Sequence, residues 1–301
     1  MKALLQKTCT TCTESSIQTY YYNIKALAKM AGYDDVPKHG RWINKALLAK
    51  IRKLPLMKFK NLTIAGMKAI NAYGLKKNDT WAMAMSSATD RYTKQRNKQE
   101  RTPKEARNWP TGGYKALSTL AKQLHGEVLA LFKKAPAAVT FPELWRMARW
   151  FIMLFYSKHA LRGDIADVRI TKKGQNYIEK KSGRWHMHIG QHKTVKAHGA
   201  IELKLDEEVS KALAQYLPYL RAKTDHGFLL STKRYGKRLG RKDMMQLIRN
   251  TTKSRLGKNI GIQLIRVLKT TQHFKSIDES AQLRGELAHG PLMQWKYVSR
   301  K

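Results

Sequence analysis

The sequence has little cysteine and no long apolar run. Only two of its 301 residues are cysteine, which excludes a disulfide-rich secreted scaffold. Cys9 and Cys12 form a single CxxC without the second pair that a structural zinc site needs, and we expect both to be reduced. The longest apolar run covers residues 150–156, far short of the roughly 20 residues that span a bilayer. We therefore expect no membrane-spanning segment.

Acidic residues are also scarce. The chain has 21 Asp and Glu against 59 Lys and Arg, a formal net charge of +38. Residues 1–100 carry +13 and the remainder +25, so the charge is not confined to one tail. A hydrophobic content of 42% is enough to fill a core and excludes a wholly disordered chain. This balance predicts a globular protein that binds a polyanion, with DNA or RNA favoured over an anionic membrane, and it fits a purely binding protein as well as an enzyme.

Hydrophobic periodicity predicts a mainly α fold with a small antiparallel β-sheet (α+β). Four helical patterns fall within residues 14–92, and we expect Ser15 or Ser16 to cap the first and Thr63 to cap the third. Residues 93–108 are almost purely polar and read as a basic linker. The predicted domains are therefore a helical domain at 1–92, the linker at 93–108 and a second domain at 109–301.

The second domain is predicted to mix helices and short strands. Its expected helices cover residues 114–134, 141–157, 210–221, 241–252 and 259–270, and its expected strands cover 167–170, 184–190 and 200–205. The 141–157 helix is strongly apolar and should be buried.

Five residues of this second domain invite a chemical interpretation, although each also has an ordinary structural one. Arg162 follows the apolar helix beside Asp164 and Asp167, which we expect to hold it or to form a surface ion pair with it. Lys193 lies between two strand-like runs, where lysines are usually solvated. The other three are Arg266 on an apolar helix, His289 before a Gly-Pro turn, and Tyr297 near the end of the sequence.

Other motifs give weaker signals. His186 and His188 share one face of a strand and lie close to His192, but a polar strand face explains them as well as a metal site does. No phosphate-binding GxxxxGK[ST] loop is present, which disfavours an NTP-driven motor.

The order of the five candidates resembles the tyrosine recombinase (phage integrase) family. Arg162 matches the first catalytic Arg, Lys193 in His192-Lys193-Thr194 the β-hairpin Lys, Arg266 the second Arg, and Tyr297 the nucleophile. The family's HxxR box is matched by residues 263–266 with Gln263 in place of His, and His289 matches the His/Trp position. The Lys-Thr and Leu-Ile-Arg boxes are similar to those of integrases from large eukaryotic DNA viruses, virophages or related mobile elements.

The resemblance implies a core-binding domain at 1–92, a catalytic domain at 109–301, and DNA strand exchange through a covalent 3′-phosphotyrosine. Arg162 and Arg266 would clamp the phosphate, Tyr297 would attack it, Lys193 would protonate the leaving 5′ oxygen, and His289 would hold the phosphate or move a proton. Gln263 can donate a hydrogen bond but cannot act as an acid or base, so its position would be supportive.

The resemblance further implies that the partner is double-stranded DNA, bound by a homotetramer with a dimer at each site. No cofactor, metal, membrane or small-molecule substrate is implied, and the protein is expected to act inside cells, where its target DNA is. A type IB topoisomerase and a catalytically impaired DNA-binding protein of the same fold are the alternatives. Basic runs give the expected DNA contacts: Lys94, Arg96, Lys98, Arg101, Lys233, Arg234, Lys237 and Arg238.

Overall fold

The computed structural model describes residues 1–76, 78–274, 285, 287–288 and 297–299. The chain divides into two compact units, Met1–Lys98 and Gln99–Lys301, and each is described by itself. The predicted linker is partly helical, since its first residues complete the last helix of the first unit and its last six form the first helix of the second. No helix within the described ranges is long and apolar enough to cross a membrane.

The first unit is built from helices. They are α1 (Lys2–Thr8), α2 (Glu14–Met30), α3 (Lys45–Arg52), α4 (Leu56–Ala72) and α5 (Asp79–Asn97). Thr13, rather than Ser15 or Ser16, caps α2 by accepting a hydrogen bond from the Ser16 amide. The Thr63 cap is wrong, because α4 begins at Leu56 and Thr63 is buried inside it, with its hydroxyl on the Lys60 carbonyl.

The core of the first unit closes around an indole ring. Trp81 on α5 is fully buried and donates its ring N–H to the Asn44 carbonyl. Gly66 on α4 lies so close to this ring that a side chain there would overlap it. The near approach of α4 and α5 therefore depends on a glycine at this position.

Cys9 and Cys12 form a disulfide in this unit, which corrects the expectation that they are reduced. The turn after α1 brings their Cα atoms within 5.4 Å, inside the range that a disulfide spans. Composition alone gave no information on this local approach.

The second unit combines helices with one sheet. Its helices are α6 (Pro103–Asn108), α7 (Lys115–Val128), α8 (Phe141–Lys158), α9 (Val195–His198), α10 (Glu207–Lys223), α11 (Arg241–Leu256) and α12 (Ile262–His273), with 3-10 turns at Leu129–Lys133, Pro136–Ala138 and Gly163–Asp167. The strands are β1 (Asn176–Lys181), β2 (Arg184–Ile189) and β3 (Ile201–Lys204).

The three strands form an antiparallel sheet in the order β1-β2-β3, which confirms the predicted fold class. Strands β2 and β3 lie where the sequence predicted them. The strand expected at 167–170 is wrong, since Arg169 makes only isolated bridges there. Strand β1 was missed because half of its six residues are Lys or Glu, whose side chains do not favour strands.

Helix α8 is the centre of the second unit's core and fixes the chain segment that follows it. A capping box between Thr140 and Glu143 begins the helix, and ten of its side chains are buried. The helix ends at Lys158, and His159 then accepts a hydrogen bond from the Asp206 amide through Nε2, at 3.1 Å. The chain leaving α8 is therefore held in place as it reaches Arg162.

Candidate functional site

Arg266 is the most deeply buried charged side chain of the candidate site. It lies in the middle of α12, where the surrounding residues are apolar and buried, and only 1% of it is exposed. Its Nη2 donates a hydrogen bond to the Leu287 carbonyl at 2.7 Å. Burial lowers the pKa of Arg266 to about 10, while the nearby Tyr297 and Asp164 side chains act in the opposite direction. Arg266 therefore remains a buried cation at neutral pH.

Arg162 lies close enough to Arg266 for its charge to lower the pKa of Arg266 further. Its backbone is anchored, since the buried Tyr156 hydroxyl donates to the Arg162 carbonyl at 3.0 Å. Its guanidinium donates from Nη1 to the Thr194 hydroxyl oxygen at 2.9 Å. Two guanidiniums that interact electrostatically repel each other, so an anion that binds near both would be stabilised by both.

A chain of hydrogen bonds extends from Arg162 into the segment that joins β2 to α9. The Thr194 hydroxyl lies 3.3 Å from Nδ1 of His192, and the Thr194 amide donates to the same nitrogen at 3.4 Å. The other ring nitrogen, Nε2, lies 2.8 Å from the Gly199 carbonyl. Because a carbonyl can only accept, His192 carries its proton on Nε2 and accepts from Thr194 at Nδ1.

This arrangement also fixes where Lys193 emerges. Lys193 is exposed, and it lies between the buried His192 and the Thr194 that holds Arg162. The residue lies on the connection between β2 and β3, which contains α9, rather than at the tip of a tight hairpin. The sequence does not predict the hydrogen bonds of His192 and Thr194. His192 reads there as one of a group of histidines, and no local pattern links Thr194 to Arg162.

The two acidic residues near Arg162 are engaged by other arginines, which corrects the expectation that they hold Arg162. Asp164 is buried and pairs with Nη2 of Arg241 at 2.8 Å. Asp167 pairs with both Arg238 and Arg241. These ion pairs join the 3-10 turn after Arg162 to the first turn of α11 and stabilise the backbone around the site.

Tyr297 lies against Arg266. Its ring centroid is 5.6 Å from Cζ of Arg266, within the range of a cation–π contact. The residues that follow hold it there, because Val298 and Ser299 are buried and the Ser299 amide donates to the Thr271 hydroxyl on α12 at 2.9 Å. Residues that are 135 positions apart in sequence, Arg162 and Tyr297, thus both approach Arg266.

The remaining predicted site residues lie elsewhere or are not described. Gln263 is exposed on the first turn of α12 and lines a polar cleft of about 230 Å³. Thr102 and Asn108 from the α6 region and Arg249 from α11 line the same cleft. His289 lies outside the described residues.

The predicted DNA contacts lie in both units. Lys94 and Lys98 are exposed near the end of α5, Arg96 is half-buried, and Arg101 stacks on the Trp109 ring with its Cζ 3.8 Å from the centroid. The second set lies in the segment between α10 and α11 and is exposed: Lys233, Arg234, Lys237 and Arg238. Arg238 is the exception among them in being paired with Asp167.

His188 on β2 has structural partners. His188 pairs with Glu202 on the neighbouring strand and stacks on Tyr177 at a centroid distance of 4.8 Å. Within the part of the chain that the structure describes, no group of three or more His, Cys, Asp or Glu side chains is arranged to hold a metal ion.

The likeness of this chain to known proteins is a distant structural one. No protein-family model matches the chain, and no curated protein matches it. Among solved structures, the chain matches a crystal structure of XerA recombinase over 100% of its own length and 93% of that chain, with 12% sequence identity and a TM-score of 0.44. The function is therefore argued from the side-chain geometry.

Proposed function

We propose that this chain is a tyrosine-type site-specific DNA recombinase that cleaves and rejoins DNA through a covalent 3′-phosphotyrosine. The observation that carries the proposal is the meeting of Arg162, Arg266 and Tyr297 within the second unit. Two cations and a phenol are what attack on a phosphodiester by a tyrosine requires, and they come from three separate segments of the chain.

The two arginines would bind the scissile phosphate and stabilise its transition state. Attack at phosphorus places additional negative charge on the non-bridging oxygens, and guanidinium groups bind such oxygens with paired N–H donors. Because Arg266 is buried and Arg162 is held by Thr194, both donors are positioned before the substrate arrives. Loss of one such donor typically lowers a rate by about 10²–10³-fold.

The covalent step transfers the phosphate from DNA to the tyrosine. The Tyr297 oxygen forms a bond to phosphorus as the bond to the 5′ oxygen breaks, and Lys193 gives that oxygen its proton. The phenolic proton leaves to His289 or to solvent, since the resemblance gives His289 either a proton-transfer or a phosphate-holding role. The cation of Arg266 beside the ring stabilises the charge that develops on the phenol oxygen. The reverse steps rejoin a new 5′ end, so the phosphodiester energy is conserved and no ATP is consumed.

Double-stranded DNA is the proposed partner, bound by the basic surfaces of both units. The net charge of +38 and the exposed cations near the end of α5 and before α11 support phosphate binding. In this proposal the chain acts as a tetramer with a dimer at each site, and it serves a mobile element of the viral type that its sequence boxes resemble.

The test is a covalent-adduct assay without metal or ATP. The protein is incubated with supercoiled plasmid and with nicked duplexes from the DNA that flanks its gene, and DNA linked to protein is measured after denaturation. We expect an adduct for the wild type and for Tyr22→Phe, an exposed tyrosine of the first unit. We expect none for Tyr297→Phe. An adduct that persists in Tyr297→Phe would refute the assigned nucleophile.

A second candidate function, a DNA-binding protein of this fold without chemistry, is favoured by Gln263. This residue stands where the resemblance expects a histidine, and it lines the cleft beside α6. Salt-sensitive DNA binding without adduct on either substrate would support this candidate. An adduct accompanied by plasmid relaxation but no strand exchange would instead support a type IB topoisomerase.

A further inference from the structure

The segment from Ser231 to Arg238 is a tight hairpin, here called the basic hairpin. Ser231 and Arg238 form an antiparallel bridge at its base, and the Thr232 amide donates to the Lys237 carbonyl at 2.7 Å. At its tip, Tyr235 and Gly236 both have positive φ angles, of 59° and 55°. The pairing of Thr232 with Lys237 leaves a four-residue loop at 233–236, and its last two residues are left-handed.

Tyr235 is an unusual residue for this position. A positive φ angle favours Gly, Asn or Asp, because a bulky side chain in this conformation is strained. Tyr235 is nevertheless 76% exposed, so the burial of its ring within this chain does not offset the strain. A strained residue at a surface turn points to a functional role.

The hairpin is held firmly by the protein beneath it. Gly236 is buried, and a Cβ atom at this position would lie 2.5 Å from Cε1 of Phe141. At the base, Arg238 pairs with Asp167 and lies over the Phe228 ring, with its Cζ 4.1 Å from the centroid. The hairpin is therefore fixed on the protein surface, and the exposed Tyr235 ring lies next to a buried residue of the same loop.

The surroundings of the exposed ring are cationic. Lys233, Arg234 and Lys237 are all exposed around Tyr235, and Nζ of Lys237 is 6.0 Å from the ring centroid. An exposed aromatic ring flanked by exposed cations fits the groove of a nucleic acid duplex. There the cations meet phosphates on both strands while the ring reaches sugars and base edges.

We propose that Tyr235 is a DNA-groove contact, whose ring packs on sugars and base edges while Lys233, Arg234 and Lys237 bind the flanking phosphates. The choice of DNA as the partner rests on the proposed function. The strained and exposed ring itself is independent of the catalytic cluster, and its contribution is measured by binding rather than by cleavage.

The experiment compares the affinities of full-length variants for a short duplex across a salt series. Tyr235→Asn keeps a residue that tolerates positive φ, so its melting temperature should equal or exceed that of the wild type. We expect it to bind about tenfold more weakly, in line with the loss of one aromatic contact to nucleic acid. Its salt slope should be unchanged, because no charge is removed. Lys237→Gln should instead reduce the slope by about 0.9.

Three controls make the result decisive. Tyr235→Phe should bind like the wild type, since it keeps the ring. Leu129→Asn removes a 53% exposed apolar side chain from the same unit and should also bind like the wild type. Wild-type affinity in Tyr235→Asn, or an equal loss in Tyr235→Phe, would overturn the proposed ring contact while leaving the recombinase proposal intact. Absence of any duplex binding by the wild type would overturn both.

Discussion

Thr194 offers a direct test of how the candidate site is organised. Its hydroxyl accepts from Arg162 and lies within reach of His192 Nδ1, so the hydroxyl joins a catalytic candidate to a buried imidazole. Thr194→Val replaces this hydroxyl with a methyl group of similar size. Both hydrogen bonds are lost, while the charge and volume of the segment are nearly retained.

The expected magnitude follows from the type of bond that is lost. A hydrogen bond to a charged group contributes about 1.5–3 kcal/mol. If Arg162 is positioned by this bond when it binds the phosphate, the full amount opposes the transition state and corresponds to a rate loss of about 10- to 150-fold. DNA affinity should change little, because phosphate contacts outside the site are untouched.

The assay is the single-turnover rate of covalent-adduct formation on a nicked duplex with enzyme in excess. Thr194→Ser restores the hydroxyl and should recover most of the rate, whereas a variant that only loosens packing would not be rescued in this way. A Thr194→Val rate equal to that of the wild type would refute the reasoning. So would a Thr194→Ser variant as slow as Thr194→Val.

Two further predictions concern stability. Gly66→Ala should destabilise the first unit by about 1–3 kcal/mol in urea unfolding, because the new Cβ atom would overlap the Trp81 ring. Gly126→Ala on α7 has open space around it and should stabilise the second unit by about 0.4–1 kcal/mol. Equal effects of the two substitutions would contradict the packing described. Glu143 accepts hydrogen bonds from Lys134 and from the Thr140 amide, and these lower its pKa from 4.5 to about 2. The ionised carboxylate therefore stabilises the fold above pH 4.5, and this contribution disappears as the pH falls towards 2. Urea unfolding between pH 5 and pH 2 should show a smaller loss for Glu143→Gln than for the wild type, and parallel curves would contradict the assignment.

Much of the fold could be predicted because its helices have strong apolar periodicity. Helices α8 and α12 are the clearest cases. Arg162 follows the end of α8 and Arg266 lies on α12, so both positions could be predicted from these helices. Strand β1 is missed because half of its residues are Lys or Glu, and it forms because β2 pairs along its whole length. Here tertiary pairing overrides local preference.

The candidate site was only partly predictable, for a different reason. Residue types and their order led to Arg162, Arg266 and Tyr297, which the structure does bring together. The partner of Arg162 could not be inferred. The carboxylates nearest in sequence are Asp164 and Asp167, but in the fold they pair with Arg241 and Arg238. Hydrogen-bond partners depend on how segments far apart in sequence approach, which local pattern does not encode.

The anchoring of Ser299 on Thr271 has a consequence for the stoichiometry of the proposed reaction. It holds Tyr297 against the Arg266 of the same chain, so in the proposed reaction a single polypeptide would supply both the arginines that bind the phosphate and the nucleophile. The number of complete sites in an assembly then equals the number of chains. In the proposed tetramer, inactivating one chain would then remove one site and leave the other three complete.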